Sequence, residues 1–423
     1  MQPETAAGTV NSHCLEHIMA LSDQHHVVAT EDIVDDRGIK LWAKGQRVSR
    51  SLQEKLLRHK LAKPLETALT VDGGIMCEQV VAGALQKIEQ SELLRRISGS
   101  AAARDMLAGF RDTPLPGPFK LLLTSARESG LQTFDHSMQS VALCAGIGAR
   151  LNFGERLGQQ LLMAALIHDI GELYVDPGYI RSNRRLAPHE WKQVAIHPRI
   201  GQMLIQQLTS LTPTISTAVA EHHERLDGSG YPAQQFDAGV SKLGRILAVA
   251  DTAAAITAGG DLDKADRLAV AMRIVPEEFD HGVIRALIEP IDASPATRAG
   301  RDCLTRIQQV ADRLAQSTQA AQALAGQAGS SVAADTCGYV LAALQVLDKA
   351  LRASGAAEAG SIEEIAADEI LLGEISLVAC EVEWRLRNLA RRIFLRVHIN
   401  HGGRELDVVQ PLIEALDLPL ASR

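Results

Sequence analysis

Aromatic residues make up only 3% of this 423-residue chain, whereas alanine and leucine are plentiful. Because β-strands favour aromatic and β-branched side chains, this shortage predicts a mainly helical protein. Apolar residues account for 46% of the chain and charged residues for 22%, which is enough apolar material for packed cores and excludes wholesale disorder. The length predicts two or three domains.

Several other features that the sequence lacks exclude further classes of protein. The six cysteines include no Cys-x-x-Cys pair, so neither a disulfide framework nor a zinc ribbon is expected, and a reducing cytoplasm fits. The net charge is −8 and no long run of lysine and arginine occurs, which argues against a nucleic-acid polymer as partner. No signal peptide is evident, and every apolar stretch is shorter than a membrane span. A cytoplasmic protein without a membrane segment is therefore predicted.

The pattern of the sequence divides the chain into three predicted domains. Short strand-like segments around a turn indicate a small mixed α/β module with further helices within residues 1–113, and a regulatory role is predicted for it. A cluster of proline and glycine marks the start of residues 114–300, which read as successive helices and carry all of the candidate chemistry. Residues 301–423 place apolar residues at helical spacing and predict a hairpin or bundle, with a homodimer or partner-binding surface as the alternative.

Several ionisable residues of the middle domain lie at positions that are expected to be buried, where a charged group without a partner costs free energy. His168 and Asp169 follow an apolar run, Asp251 follows another, and His222 and His223 are adjacent. An ionisable pair at the end of a buried helix costs on the order of several kcal/mol unless something compensates it. A divalent cation bound by both residues of such a pair would offset the cost of burying them. Imidazole and carboxylate together suit iron, manganese, zinc or nickel rather than calcium.

Seven such residues lie on neighbouring predicted helices. A single buried histidine is more often a satisfied core residue than a ligand, so the set as a whole carries the inference. The set can supply two metals that share a bridging carboxylate. Two metals about 3.5–4 Å apart can activate a hydroxide and hold both oxygens of an in-line displacement, which is phosphoester chemistry. The seven candidate ligands are His136, His168, Asp169, His197, His222, His223 and Asp251.

Three motifs in the same region are more specific than the single residues. They are His168-Asp169, His197-Pro198-x-x-Gly201, and His222-His223-Glu224 followed by Asp227-Gly228-Ser229-Gly230-Tyr231-Pro232. With these motifs, residues 119–295 resemble the HD-GYP family of metal-dependent phosphohydrolases. The resemblance implies an HD-type helical catalytic domain with a binuclear or trinuclear centre, often of iron or manganese. It also implies hydrolysis of a cyclic dinucleotide, above all cyclic di-GMP, to pGpG or GMP.

The resemblance further implies a role for each residue. Asp169 would bridge the two metals, the first of which would be held by His136, His168 and Asp251, and the second by His197, His222 and His223. A third metal is not expected, because the glutamate that accompanies it in some family members is Gln132 here. Signalling proteins could bind through the GYP loop or the helical tail. The expected substrate-binding residues are Gly228, Gly230, Tyr231 and Pro232.

Two departures from the family concern the cations that bind phosphate. Glu172 stands where the family usually has lysine, and the usual cationic stretch is missing after Asp251, over Thr252–Asp261. Each lost charge-assisted phosphate contact costs about 1.5–3 kcal/mol. Arg225 lies inside the signature segment and is favoured as a substitute over Arg199, Lys242 and Arg245. Asp169, Glu172 and Arg225 therefore form the predicted catalytic set.

These departures leave three functions open. The first is an active phosphodiesterase of a cyclic dinucleotide, with two iron or manganese ions. The second is a weakly active or inactive signalling adaptor or receptor that keeps the metal fold. The third is a metal phosphohydrolase of another nucleotide or phosphoester. Asp169→Ala and Glu172→Lys are the substitutions that separate the first two, because one removes a shared ligand and the other restores a cation.

Overall fold

The computed structural model is mainly helical, which confirms the fold class predicted from composition. The chain forms two compact units. One comprises residues 1–224, 238–258 and 285–290, and the other comprises residues 225–237, 259–284 and 291–423. The predicted domains 1–113, 114–300 and 301–423 follow other boundaries and remain a prediction. The structure describes residues 10–130, 132–181, 186–258, 264–291, 302–327, 331–355, 368–401 and 406–417.

The N-terminal module is a small mixed α/β structure, as predicted. Its first helix is capped by Asn11, whose side chain accepts hydrogen bonds from the backbone N–H groups of His13 and Cys14. Two antiparallel strand pairs follow, the first strand with the fourth and the second with the third. The elements are α1 (Ser12–Gln24), β1 (Val27–Ala29), β2 (Ile33–Val34), β3 (Lys40–Trp42), α2 (Arg50–Leu56), the 3-10 helix Leu65–Thr67 and β4 (Leu69–Val71).

The helices that follow in the first unit build the frame of the candidate site. Their small and aliphatic side chains, such as Ala145, Leu166 and Leu247, are fully buried where the helices meet. The helices are α3 (Cys77–Gln90), α4 (Glu92–Ser98), α5 (Ala101–Phe110), α6 (Gly117–Glu128), α7 (Thr133–Arg150), α8 (Glu155–Ile167), the 3-10 helix Ile170–Tyr174, α9 (Pro177–Ile180), α10 (Pro188–Ala195), α11 (His197–Leu208), α12 (Pro213–Glu221), the 3-10 helix Asp237–Gly239 and α13 (Lys242–Thr257). In this frame α7 packs on α8 and α13, and α12 packs on α8, α11 and α13.

The helical C-terminal region forms the core of the second unit. The apolar positions that show helical spacing in the sequence are buried there, including Ile307, Leu314, Leu344 and Leu347. Among the described helices, none combines the length and the apolar character that crossing a membrane requires. The remaining helices of the chain are α14 (Lys264–Arg273), α15 (His281–Ile288), α16 (Asp302–Gln327), α17 (Ser331–Ala353), α18 (Glu369–His401) and α19 (Leu406–Asp417).

Candidate metal centre

The structure brings the seven predicted ligands together in two groups. Within each group, the ligand atoms lie within 4.8 Å of one another, so that one ion could contact all of them. Asp169 belongs to both groups. The grouping agrees with the division into two metals that the family resemblance implies. The first group is His136, His168, Asp169 and Asp251, and the second is Asp169, His197, His222 and His223.

The ends of buried helices place most of these side chains. His168 directly follows α8 and His222 directly follows α12, so each ring leaves a packed helix at its C-terminal end. His197 is the first residue of α11, and Asp169 precedes the 3-10 helix Ile170–Tyr174. Apolar runs bury these helices and thereby carry the polar residues at their ends into the interior. This is why the ligands follow apolar runs in the sequence.

Backbone contacts hold three of the histidine rings in the form that binds a metal. In each ring, Nδ1 lies within hydrogen-bond distance of the backbone carbonyl three residues earlier. Because Nδ1 can only donate to a carbonyl, its proton is placed there, which leaves Nε2 as the nitrogen that would bind a metal. The contacts are His168 to Ala165 at 2.9 Å, His197 to Val194 at 2.8 Å and His222 to Val219 at 2.6 Å.

The distances between these nitrogens fit a cation among them. The Nε2 atoms of His197 and His222 are 3.1 Å apart, so that one ion could contact both of them. Among the described residues, the buried Nε2 of His168 has no hydrogen-bond partner of good geometry, although Oδ2 of Asp169 lies 3.1 Å away. Imidazole nitrogens with carboxylate oxygens are a donor set for divalent transition metals. The cluster is therefore able to bind metal.

The carboxylate of Asp169 faces both groups. Its Oδ1 lies 3.2 Å from Nε2 of His197 and 3.4 Å from Nε2 of His222, whereas its Oδ2 lies 3.1 Å from Nε2 of His168. Burial would raise the pKa of Asp169, but His168, His197 and His222 outweigh burial and hold this pKa well below its usual range. The ionised carboxylate of Asp169 thus presents one oxygen to each ligand group, as the bridging role implied by the family resemblance would require.

Asp251, in the middle of α13, completes the first group. Its Oδ1 lies 2.8 Å from Nε2 of His136, and its Oδ2 lies 3.4 Å from Nδ1 of His223. Burial would raise the pKa of Asp251, but His223 and His136 hold it well below its usual range. Burial, reinforced by His222, lowers the pKa of His223 well below its usual range.

Glu172 lies in the 3-10 helix that begins directly after Asp169. Its Oε2 accepts a hydrogen bond of 2.6 Å from the hydroxyl of Thr133, three residues before His136 in α7. Burial and the neighbouring Asp169 raise the pKa of Glu172 to about 7. Thr133 was not singled out from the sequence, because a threonine at a helix start carries no specific signal. The contact joins the segment of Asp169 to the helix of His136.

In the second unit, Arg225 has a carboxylate partner. Its Nε lies 3.7 Å from Oε1 of Glu278, and its guanidinium lies over the ring of Phe279, 4.7 Å from the ring centre. Glu278 gave no signal in the sequence. Among the other candidate cations, Lys242 lies over the ring of Phe153 at 4.5 Å. The role of Arg225 as a phosphate-binding residue remains a prediction.

The signature segment after Arg225 has a specific backbone shape. Gly228 adopts a positive φ of +75°, and a Cβ atom there would lie 2.5 Å from the ring of Phe236, so a side chain is excluded on both counts. The peptide bond between Tyr231 and Pro232 is cis. Gly230 is buried, and Tyr231 and Pro232 are half-buried. The substrate-binding role of these four residues remains a prediction, and part of the cation-poor stretch, 259–261, lies outside the described residues.

A family model described as "HD domain" matches residues 123–282, the segment that contains all seven ligands. These residues form an HD domain. The chain is 27% identical over 225 residues to a cyclic di-GMP phosphodiesterase of Pseudomonas aeruginosa, covering 52% of this chain and 54% of the relative. These similarities confirm the predicted resemblance of this segment to the HD-GYP family of phosphohydrolases.

Two further relatives match shorter parts of the chain. A 3'3'-cGAMP-specific phosphodiesterase of Vibrio cholerae is 29% identical over 150 residues, covering 36% of this chain and 35% of the relative. The cyclic di-GMP phosphodiesterase response regulator RpfG of Xanthomonas campestris is 31% identical over 126 residues, covering 30% of this chain and 33% of the relative. The chain thus spans about half of the length of the first relative and about a third of the other two.

Proposed function

We propose that this protein is a metal-dependent phosphodiesterase that hydrolyses a cyclic dinucleotide, with cyclic di-GMP as the leading substrate and pGpG or GMP as the product. The observation that carries the proposal is the pair of ligand groups that share Asp169. Two groups with a common carboxylate would hold two ions, and a pair of ions supports in-line phosphoester hydrolysis. The relatives support the substrate class, since they are named for cyclic di-GMP or 3'3'-cGAMP.

Different side chains of this protein would bind the metals and the substrate. Histidine nitrogens and the carboxylates of Asp169 and Asp251 hold two divalent ions, with iron or manganese as the proposed metals. When bound, such ions supply Lewis acidity and lower the pKa of a coordinated water. Arg225 is the proposed contact for a substrate phosphate. The segment Gly228, Gly230, Tyr231 and Pro232 would bind the substrate, and the same loop or the helical tail would contact partner proteins in the cytoplasm.

The experiment is product analysis with the full chain, purified without oxygen and loaded with Fe(II) or Mn(II). We expect conversion of cyclic di-GMP to pGpG or GMP, abolished by a chelator and restored by adding back the metal. 3'3'-cGAMP is tested in parallel, because the relatives include enzymes named for each dinucleotide. Asp169→Ala is the control and should give no product. Absence of product from both dinucleotides, with both metals bound, would contradict the proposal and leave another phosphoester as substrate.

A second candidate function is a signalling adaptor or receptor with little turnover. Two observations favour it: a carboxylate, Glu172, lies beside Asp169, and Arg225 already has Glu278 as a partner. Both features weaken the hold on a substrate phosphate, because one repels an anion and the other engages the nearest signature cation.

Glu172→Lys separates the two candidates. If a missing cation limits turnover, this substitution should raise the rate of cyclic di-GMP hydrolysis about tenfold or more, since one charge-assisted contact is worth about 1.5–3 kcal/mol. Glu172→Gln is the matched control, which removes the negative charge without adding a positive one, and its gain should be smaller. Tight binding of cyclic di-GMP with unchanged, negligible turnover in all three proteins would favour the receptor.

A further inference from the structure

The 3-10 helix Ile170–Tyr174 is where three ligand-bearing segments of the metal centre meet. Asp169 immediately precedes it, and Glu172 within it accepts the hydrogen bond from Thr133 at the start of α7. Gly171 lies directly against the start of α11, because a Cβ atom on this glycine would lie 2.2 Å from the backbone oxygen of His197. A shift of this short helix would therefore change the position of Asp169 relative to both ligand groups.

The last residue of this helix is held by the N-terminal module. The hydroxyl of Tyr174 donates a hydrogen bond of 2.5 Å to Oε1 of Glu66, in the 3-10 helix just before β4. Tyr174 and Glu66 are both buried. Burial, reinforced by Cys14 and Glu66, holds the pKa of Tyr174 well above its usual range, so the phenol stays protonated and donates. A buried hydrogen bond to a carboxylate is stronger than one between neutral groups.

A second contact fixes the main chain of the same residue. The side-chain amide of Asn11 donates to the backbone oxygen of Tyr174 at 3.2 Å, while the side-chain oxygen of Asn11 caps α1. Cys14, in the first turn of α1, lies 3.8 Å from Oε1 of Glu66 through its sulfur. The N-terminal module thus holds Tyr174 by both its side chain and its backbone, with contacts more than 100 residues apart in the chain.

We propose that Glu66 is a positioning residue for the metal centre, and that through Tyr174 it couples the N-terminal module to the bridging carboxylate of Asp169. The inference rests on the proposed function for the presence of metal, but not for the identity of the substrate. Glu66 acts through Tyr174 and the 3-10 helix rather than as a ligand. Any signal that displaces the segment Leu65–Thr67 or α1 would then alter metal binding and, with it, turnover.

The test is the affinity of the full-length, chelator-treated protein for Mn(II), measured by titration calorimetry without any nucleotide. Tyr174→Phe removes only the hydroxyl, and we expect it to weaken Mn(II) binding about tenfold, the lower end of the effect of losing a group that orients ligands. Glu66→Gln keeps an acceptor but loses the charge, so its effect should be smaller and in the same direction. Cys14→Ala is the matched control in the same network and should leave the affinity unchanged.

A control is needed to distinguish this effect on Mn(II) affinity from the effect of a general loss of stability. Leu52→Ala removes a buried side chain of the same module and leaves the Glu66–Tyr174 pair intact. With all variants folded by circular dichroism, wild-type Mn(II) affinity in both Tyr174→Phe and Glu66→Gln would overturn the proposal, and so would equal weakening by Leu52→Ala. Because no substrate is used, a failure of the phosphodiesterase proposal leaves this test unaffected. With an active enzyme, Tyr174→Phe should also lower kcat at saturating cyclic di-GMP more than it raises KM.

Discussion

Asp169→Asn is expected to remove both metals, whereas Asp251→Asn is expected to remove one. After anaerobic loading, the metal content should fall from about two ions per chain to near zero in the first variant and to about one in the second. Hydrolysis of cyclic di-GMP by Asp169→Asn should fall by about three orders of magnitude, because several kcal/mol of transition-state stabilisation is lost with the metals.

The expected difference in metal content between the two variants follows from the positions of the two carboxylate oxygens of Asp169. Oδ1 faces His197 and His222, Oδ2 faces His168, and an asparagine would replace one of these oxygens with an NH2 group that cannot act as a ligand. Asparagine also removes the negative charge that both ions share. Asp251 belongs to the first ligand group alone, so its loss leaves the second group complete.

Metal analysis of desalted protein by mass spectrometry measures the two contents directly. His197→Ala provides a comparison from the second group and should also retain about one ion. Two ions retained by Asp169→Asn would show that this carboxylate is not shared. Equal losses in Asp169→Asn and Asp251→Asn, with intact folding, would show that the two groups do not bind independently in the way that the geometry indicates.

The ligands could be predicted from the sequence because it places ionisable residues next to apolar runs, where burying them without a partner costs free energy. His168, Asp169 and Asp251 each follow an apolar run that must be buried, so a polar residue at its end needs a partner. The helical fold class follows from composition, and two of the described strands of the N-terminal module, β1 and β3, follow from apolar segments on either side of a turn signal, whereas β2 and β4 were not predicted. These are local signals, and local signals are what a single sequence carries.

The partners that orient the centre could not be predicted in this way. Thr133 and Glu172 are 39 residues apart, and Glu66 and Tyr174 are 108 residues apart, so each contact exists only once the helices have packed. Arg225 was selected for its place in the signature segment, but the sequence gave no sign that Glu278 would pair with it. Such pairings depend on tertiary structure, and Thr133, Glu66, Tyr174 and Glu278 belong to no motif.

Glu278→Gln is expected to destabilise the second unit strongly. The side chain of Glu278 is 3% exposed and faces three arginines: Oε2 lies 2.6 Å from Nη1 of Arg385, and Oε1 lies 3.3 Å from Nη2 of Arg392 and 3.7 Å from Nε of Arg225. Its backbone oxygen accepts the N–H of Leu226 at 2.9 Å. Residues at the start of the signature segment are thereby tied to α18, which carries two of the arginines.

Loss of this carboxylate charge would leave buried arginines short of a partner. Breaking a buried ion pair by removing one member costs about 3–5 kcal/mol, and we expect Glu278→Gln to lower the free energy of unfolding by an amount in this range. Arg385 keeps Glu381 as a partner at 2.9 Å and the backbone oxygen of Ala271 at 3.0 Å, which limits the loss to that range. Urea unfolding followed by circular dichroism measures the change.

Glu383→Gln is the matched control, and Glu383 lies in α18, the helix that carries Arg385 and Arg392. The side chain of Glu383 is 4% exposed, but its partners Arg306 and Arg387 are about half exposed, so water can replace the lost charge, and a cost below about 1 kcal/mol is expected. If both substitutions lowered the free energy of unfolding by similar amounts, the three arginines around Glu278 would not explain the expected large effect.

The same carboxylate predicts a pH dependence. Burial would raise the pKa of Glu278, but Arg385, Arg392 and Arg225 outweigh it and hold the pKa below its usual range. A carboxyl group whose pKa is lowered by folding stabilises the folded state above its unfolded pKa of about 4.3, and this contribution is lost as the pH falls through the folded pKa. The difference in unfolding free energy between wild type and Glu278→Gln should therefore be constant near neutral pH and shrink below about pH 4. A difference that grew on acidification would mean that the arginines do not stabilise the ionised form.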